Sequence, residues 1–278
     1  MKTAVTLEEL WKALEELPRP IGLVPTMGFL HEGHLSLVTA ALEECASVVV
    51  SIFVNPTQFA PTEDLAAYPR DLPRDLELLH GAGTDLVWTP TPEVMYPQGF
   101  QTWVEVTEVT QPLEGVQRPE HFKGVTTIVA KLFTGVRPDK AYFGQKDAQQ
   151  AAVIKQMTRD LNFPIEIRVM PIIREADGLA LSSRNTYLNP EEREAATVLS
   201  RALAKAAEAY REGVRSGDEI RQIMTETINA EPLARLQYVS CADRTTLQEL
   251  DHISDGALLS MAVYVGKTRL IDNQILEG

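Results

Sequence analysis

Cysteine is scarce in this 278-residue chain: Cys45 and Cys241 lie far apart and match neither a metal spacing nor a redox pair. A single disulfide stays open, but two reduced, buried thiols in a cytoplasmic protein are the expectation. Long apolar runs are also missing. No stretch is long enough to span a bilayer, so no membrane partner is expected. The opening MKTAVTLEELWKALEELP lacks the charged-then-apolar order of a secretory signal. It reads instead as an amphipathic helix, with Thr6 and Glu9 in a capping box and Leu7, Leu10, Trp11 and Leu14 facing inward. Positive charge is in deficit, with 26 Lys and Arg against 39 Asp and Glu, a formal net charge of −13. Such a chain repels polyanions except at a local basic patch, so nucleic acid is not an expected partner. An acidic surface serves solubility, and it remains compatible with a small anionic substrate at a focused site. Low-complexity tracts and repeats are absent as well. The length suffices for one large domain or two modest ones.

Apolar runs and helical segments alternate through the first two-thirds. Ile21–Val24 reads as a short buried strand, and His34 to Cys45 as a helix carrying Leu35, Leu37, Val38, Ala41 and Leu42. SVVVSIFV (Ser47 to Val54) is a nearly continuous β-branched run, typical of a strand covered on both faces. Leu72 to Gly83 reads as a helix stopped by glycine, and TDLVWTP as the strand after it. Thr126 to Val136 reads as a helix, Lys140 to Phe143 as a strand, AQQAAVIKQMTRDL as a helix and Ile165 to Ile173 as a strand. This is the pattern of an α/β domain with a mainly parallel sheet. The remainder differs. Asn189-Pro190-Glu191-Glu192 opens one long alanine-rich helix to about Tyr210, and Ser216 with Glu219 opens another. LQYVSC, ALLSMAVYVG and TRLIDN then read as strands of a short antiparallel sheet. A boundary near Arg174 to Gly178 divides the chain into 1–175 and a smaller α+β lid over 176–278.

Four polar stretches stand at expected strand ends or at this boundary. In PTMGFLHEGHLSLV, glycines and two histidines occupy a strand-to-helix junction, where backbone N–H groups lack partners and the helix dipole favours anions. His31 and His34 are three residues apart and can project toward one ligand. A metal site is the rival, although zinc helices space histidines four apart and no third ligand is evident. SIFVNPTQF ends a buried strand with Asn55, Pro56 and Gln58. Gln58 can donate and accept, though Asn55-Pro56 is equally a turn. YFGQKDAQQ repeats the arrangement with Lys146, a mobile point charge for phosphate, and Asp147; both are otherwise a surface charge and a cap. DGLALSSRN supplies Ser182, Ser183 and Arg184. RPEHFKGV (Arg118 to Val125) adds Arg118, His121 and Lys123 in a loop that could cover a site.

Taken together and in this order, PTMGFLHEGHLSLV, SIFVNPTQF, RPEHFKGV, YFGQKDAQQ and DGLALSSRNTYL resemble the pantoate–β-alanine ligases, also called pantothenate synthetases, over essentially the whole chain. H-E-G-H is that family's form of the H-x-G-H motif of the nucleotidylyltransferase superfamily. The resemblance implies a Rossmann-like amino-terminal domain with a mainly parallel sheet, plus a smaller α+β domain with helices and a short antiparallel sheet. It implies adenylation of (R)-pantoate by ATP, then displacement of AMP by β-alanine. By matching motif positions, Met27, Gly28, Phe29, Leu30, His31, Glu32, Gly33 and His34 belong to the ATP site. Gly144, Gln145, Lys146, Asp147, Ile173, Leu181, Ser182, Ser183 and Arg184 complete it. Gln58 and Gln150 hold pantoate, and Gln58 also lies near β-alanine. His34, His31, Lys146 and Arg184 are the expected catalytic groups. Mg²⁺ accompanies ATP through phosphates and water, with no dedicated metal site in the protein. A cytoplasmic homodimer is implied. Gln145 stands where many relatives have glutamate, and Lys123 where arginine is common. Competing readings are another H-x-G-H adenylylating transferase, a nucleotide-binding protein without turnover, and a metal-dependent hydrolase built on His31 and His34.

Overall fold

The alternating pattern resolves into six parallel strands: β1 (Lys2–Ala4), β2 (Ile21–Thr26), β3 (Ser47–Ile52), β4 (Leu86–Trp88), β5 (Lys140–Gly144) and β6 (Glu166–Met170). They lie in the order β1-β4-β3-β2-β5-β6. Between them run helices α1 (Leu7–Leu14), α2 (Glu32–Glu44), α3 (Leu72–Ala82), α4 (Pro92–Met95), α5 (Glu114–Gln117), α6 (His121–Val136) and α7 (Ala148–Asp160). The computed structural model describes residues 1–59, 65–66 and 68–278. The chain divides into two units, 1–144 with 150–171, and 145–149 with 172–278.

The β3 run is mostly apolar because each face of its sheet meets a helical layer. Leu23 and Val49 pack in the cluster that holds Leu10, Phe133 and Ile154, whereas Val24, Val48 and Val50 pack with Leu37, Val38 and Leu79. All three valines of β3 are fully buried. Burial of such a side chain stabilises by roughly 1.5–3 kcal/mol, so the alternating inward faces drive this sandwich. From β2 the chain moves to β3 on one side, while β5 pairs on the other (Gly22 with Lys140, Leu23 with Ala141). That reversal is a topological switch point, and the carboxyl ends of β2 and β5 beside it are where open α/β sheets bind ligands.

Several local expectations change. Strand β1 has no sequence signature: three residues, of which only Ala4 is buried, pair with β4. Helix α1 carries the expected Thr6–Glu9 capping box. Trp11, expected inward, is 47% exposed and lies on the surface, with its indole N–H donating to Gly135 O at 3.2 Å. An indole satisfies its one donor this way while Leu10 takes the core position. The segment Arg118 to Val125, expected as a loop, is helical from His121 onward because Phe122 and Val125 are core residues. Cys45 is only half-buried, and both cysteines are free.

The second unit contains α8 (Pro190–Ala195), α9 (Val198–Arg211), α10 (Gly217–Asn229) and the antiparallel strands β7 (Ala234–Ala242), β8 (Ala257–Val265) and β9 (Thr268–Leu276). The long helix expected from Asn189 to Tyr210 breaks between α8 and α9. There the backbone tightens, with Thr197 N bonded to Glu194 O and Leu199 N to Ala196 O. The Thr197 hydroxyl also bonds Glu194 O at 2.8 Å, a local competitor that bends a helix. The core of this unit joins Leu199, Leu203, Ile220 and Met224 of the helices to Leu259, Met261 and Val263 of β8.

At the opposite end of the first sheet from the switch point, Glu44 accepts from Arg168, from Lys140 Nζ at 3.0 Å and from Tyr142 Oη at 3.0 Å. The Arg168 bond first, then Lys140, holds this carboxyl well below the usual range, at about 2. A depressed carboxyl pKa contributes stability that is complete above the unfolded value and fades as pH falls toward the folded one. Glu44→Gln should therefore melt below the parent at pH 7, and the gap in Tm should close between about pH 4.5 and pH 2. A gap independent of pH would remove the ionised carboxylate as its cause.

Candidate active site

At the carboxyl end of β2 the backbone makes an unusual turn, with Gly28 at φ +80° and Phe29 at φ +51°. A non-glycine residue in this region costs about 1–3 kcal/mol and persists only where its surroundings dictate it. Here Asp75 of α3 does so. Its buried carboxylate accepts from Phe29 N at 2.7 Å and Leu30 N at 2.8 Å. Arg74 adds a bond to Leu30 O at 3.0 Å and lies over the Phe29 ring at 5.6 Å. A Cβ on Gly28 would sit 3.1 Å from both Asp75 Oδ2 and Ile52 Cγ2, a tight fit at a positive φ that favours glycine.

The turn delivers the chain to α2, whose amino-terminal cap is a reciprocal pair of histidines. His31 Nδ1 accepts from Gly33 N at 3.1 Å, and His34 Nδ1 accepts from His31 N at 3.3 Å. The rings lie 4.1 Å apart, tilted by 40°. An Nδ1 that accepts carries no proton, so this network assigns each imidazole the neutral form with its proton on Nε2. Both residues stand at the amino terminus of α2, where the helix dipole favours an anion. Met27 is half-buried on the same turn and Glu32 is exposed.

A second polar group forms around the turn Pro56–Gln58, which follows β3. Asn55 is buried, and its amide is saturated. Nδ2 donates to Gln58 Oε1 and Gly124 O, each at 3.1 Å, while Oδ1 accepts from Tyr96 Oη at 2.8 Å and Thr57 Oγ1 at 3.0 Å. The Gln58 amide is thereby oriented, with Nε2 3.1 Å from Met27 Sδ. Burial pushes the Tyr96 phenol above its ordinary pKa, which keeps it a donor. The Gln58 carbonyl is held in turn by His121 Nδ1 at 2.9 Å and Arg118 Nη2 at 3.3 Å. Arg118 Nη1 donates to His121 Nε2 at 3.2 Å, so the His121 proton is on Nδ1. These two residues fix the turn from behind. Helix α6 can approach because of Gly124, where a Cβ would stand 2.5 Å from Thr57 O. Gln150 is half-buried on the first turns of α7.

Gly144 ends β5 in the first unit, and the remaining expected residues are in the second. Gln145, Lys146 and Asp147 form a 3-10 turn directly after β5, with Gln145 and Lys146 half-buried and Asp147 exposed. Ser182 caps the 3-10 turn Ser183–Tyr187, its hydroxyl accepting from Arg184 N at 3.2 Å. Leu181 N bonds Ile173 O at 3.0 Å, which closes the short hairpin that carries both. Ser182, Ser183 and Arg184 are half-buried, and Ile173 is exposed. Among the described residues no group of three or more His, Cys, Asp or Glu is arranged to hold a metal ion. Of the supporting residues, Asp75, Arg74 and Tyr96 lacked any motif. Asp75 left one weak signal, an acid four residues before the core residue Leu79 and on the same helix face.

Asp75→Asn replaces an acceptor oxygen with an amide facing an N–H, and should lower unfolding free energy by about 2–3 kcal/mol. Gly124→Ala should cost about 1–3 kcal/mol through overpacking. Gly81→Ala, where a Cβ meets nothing within 4 Å, is the control and should stabilise slightly. Denaturant titration of the three variants checks all of these.

A family model described as pantoate-beta-alanine ligase matches residues 1–275. A pantothenate synthetase of Herpetosiphon aurantiacus is 57% identical over 277 residues, covering 99% of this chain and 100% of the relative. One from a Roseiflexus species is 57% identical over 278 residues and covers both chains completely. The solved structure of pantothenate synthetase from Thermus thermophilus superposes with a TM-score of 0.94 at 48% identity, covering 99% of each chain. The pantoate–β-alanine ligase of Francisella tularensis, solved with β,γ-ATP and β-alanine, gives a TM-score of 0.81 at 34% identity, covering 99% of this chain and 97% of that one. With its sheet, its histidine-capped helix and matches of this length and closeness, the chain belongs to the pantoate–β-alanine ligase family.

Proposed function

We propose that this enzyme condenses (R)-pantoate with β-alanine in two steps at the sites its motifs mark. As a member of its family it is an ATP-dependent ligase of pantoate and β-alanine. In the first step a pantoate carboxylate oxygen bonds the α-phosphorus of ATP, the bond to the bridging oxygen breaks, and pyrophosphate leaves. In the second step the β-alanine amine attacks the acyl carbon. A C–N bond forms, the C–O bond to AMP breaks, and the amine loses a proton.

The observation that supports this reading most is the reciprocal histidine cap at the switch point. Attack of an anion on a phosphate is limited by charge repulsion, so fixed donors aimed at the phosphates should dominate catalysis. His34 and His31 supply neutral N–H donors there. Lys146 and Arg184 supply full charges, the guanidinium as a fork and the ammonium as a point. Met27 to Gly33 line the nucleotide, together with Gly144, Gln145, Asp147, Ile173 and Leu181 to Ser183. Gln58, oriented by Asn55, and Gln150 bind pantoate, and Gln58 also meets β-alanine. Mg²⁺ arrives as part of the MgATP substrate, held by phosphate oxygens and water. The neutral Nε2–H form makes His34 a hydrogen-bond donor to developing charge.

Single-turnover pyrophosphate release from MgATP with (R)-pantoate tests the scheme. A burst without amine, followed by AMP and pantothenate on adding β-alanine, is expected. ATP binding without a burst for any carboxylate would leave only a nucleotide-binding protein. His34→Ala should slow the burst by about 100-fold or more while ATP affinity changes far less. Equal loss of binding with an unchanged chemical step would refute the role given to His34. The resemblance also supports a cytoplasmic homodimer, so sedimentation should give twice the 30.8 kDa of one chain.

A further inference from the structure

The 3-10 turn that carries Lys146 is gripped by one side chain from the last strand of the second unit. Asn273 of β9 is 2% exposed, and its amide is committed to two residues. Nδ2 donates to Gln145 O and to Lys146 O, each at 2.9 Å, and Oδ1 accepts from Gln145 Nε2 at 3.1 Å. Fixing two consecutive carbonyls on one amide fixes the peptide planes on both sides of the Lys146 α-carbon. It therefore sets the direction in which that side chain leaves the backbone. This matters for lysine in particular, whose four-carbon stem has no rigid fork of its own.

Asn273 is itself held. Its neighbour Asp272, also 2% exposed, receives Arg174 Nη1 at 2.7 Å and Nη2 at 2.9 Å in a two-pronged ion pair. Arg174 also donates to Asn273 O at 3.3 Å and to Gly178 O at 2.9 Å, and Asp272 Oδ1 accepts from Asn273 N at 2.8 Å. The pair thus locks the strand register at the point where the amide must reach the turn. A buried amide with both donors on backbone carbonyls of another segment is poorly replaced by any residue that only fills space.

We propose that Asn273 is a positioning residue of the ligase reaction, acting through Lys146 and held in place by the Arg174–Asp272 pair. The proposal rests on the assignment of Lys146 to the nucleotide phosphates. A double-mutant cycle in the intact enzyme tests it, read as single-turnover pyrophosphate release from MgATP and (R)-pantoate, with melting curves to establish that each variant is folded. Asn273→Ala should slow release about 10- to 100-fold in the parent, the loss expected when a preorganised group is displaced. In a Lys146→Ala background the same change should slow it less than about threefold, because the group it positions is gone. Asn273→Ser, which keeps one donor, should show the same pattern more weakly and serves if the alanine variant does not fold. Equal losses in both backgrounds, or no loss in the parent, would overturn the proposal. A Lys146→Ala variant at full rate would overturn it too, and would place the fault in the role assigned to Lys146.

Discussion

The buried carboxylate of Asp75 is the constraint on which the first polar site depends. Two consecutive N–H groups, of Phe29 and Leu30, converge on it. Buried donors left without an acceptor are costly, so this carboxylate holds the left-handed step at Gly28 and Phe29 in place. Once the step is made, His31 arrives at the amino terminus of α2 in extended conformation and its ring can turn back onto Gly33. The histidine tautomers then follow from backbone donors. A helix packed for core reasons, with Leu79 fully buried, thereby supplies the carboxylate that holds the turn leading into another helix.

The turn after β3 is built by the same logic with different parts. Asn55 uses its whole amide locally, and that saturation gives Gln58 a single orientation. Gly124 lets α6 come close enough for its first turn, with His121 and Arg118, to hold the Gln58 carbonyl. In both, the hydrogen bonds of a second residue fix the backbone or amide from which a polar side chain is aimed. In the second unit, Asn273 stands in that relation to the turn bearing Lys146, and Arg174 with Asp272 stands behind it.

Much of this molecule was legible in its sequence. The β-branched run of β3, the helix between Leu72 and Ala82, the antiparallel strands after residue 233 and the motifs at strand ends all follow from local periodicity and turn chemistry. These are short-range properties: burial alternates with a period set by the backbone, and caps involve residues three apart. The family was legible for a related reason, because the order and spacing of five motifs are written along the chain.

Other features arise from pairings between distant segments or from bonds that no pattern announces. The break at Thr197 depends on hydroxyl and backbone bonds that composition does not reveal. Strand β1 is a strand only because β4 supplies its partners, and Trp11 faces outward only because Leu10 fills the core and Gly135 offers a carbonyl. Asp75 holding the turn at residue 29, Gly124 admitting the turn at residue 57, and Asn273 gripping residues 145 and 146 each cross tens of residues or more. Order along the chain thus settled the motif residues that mark the family and most of the strands and helices. Folding settled how those residues are aimed, because orientation is set by hydrogen-bond partners that become neighbours only in three dimensions.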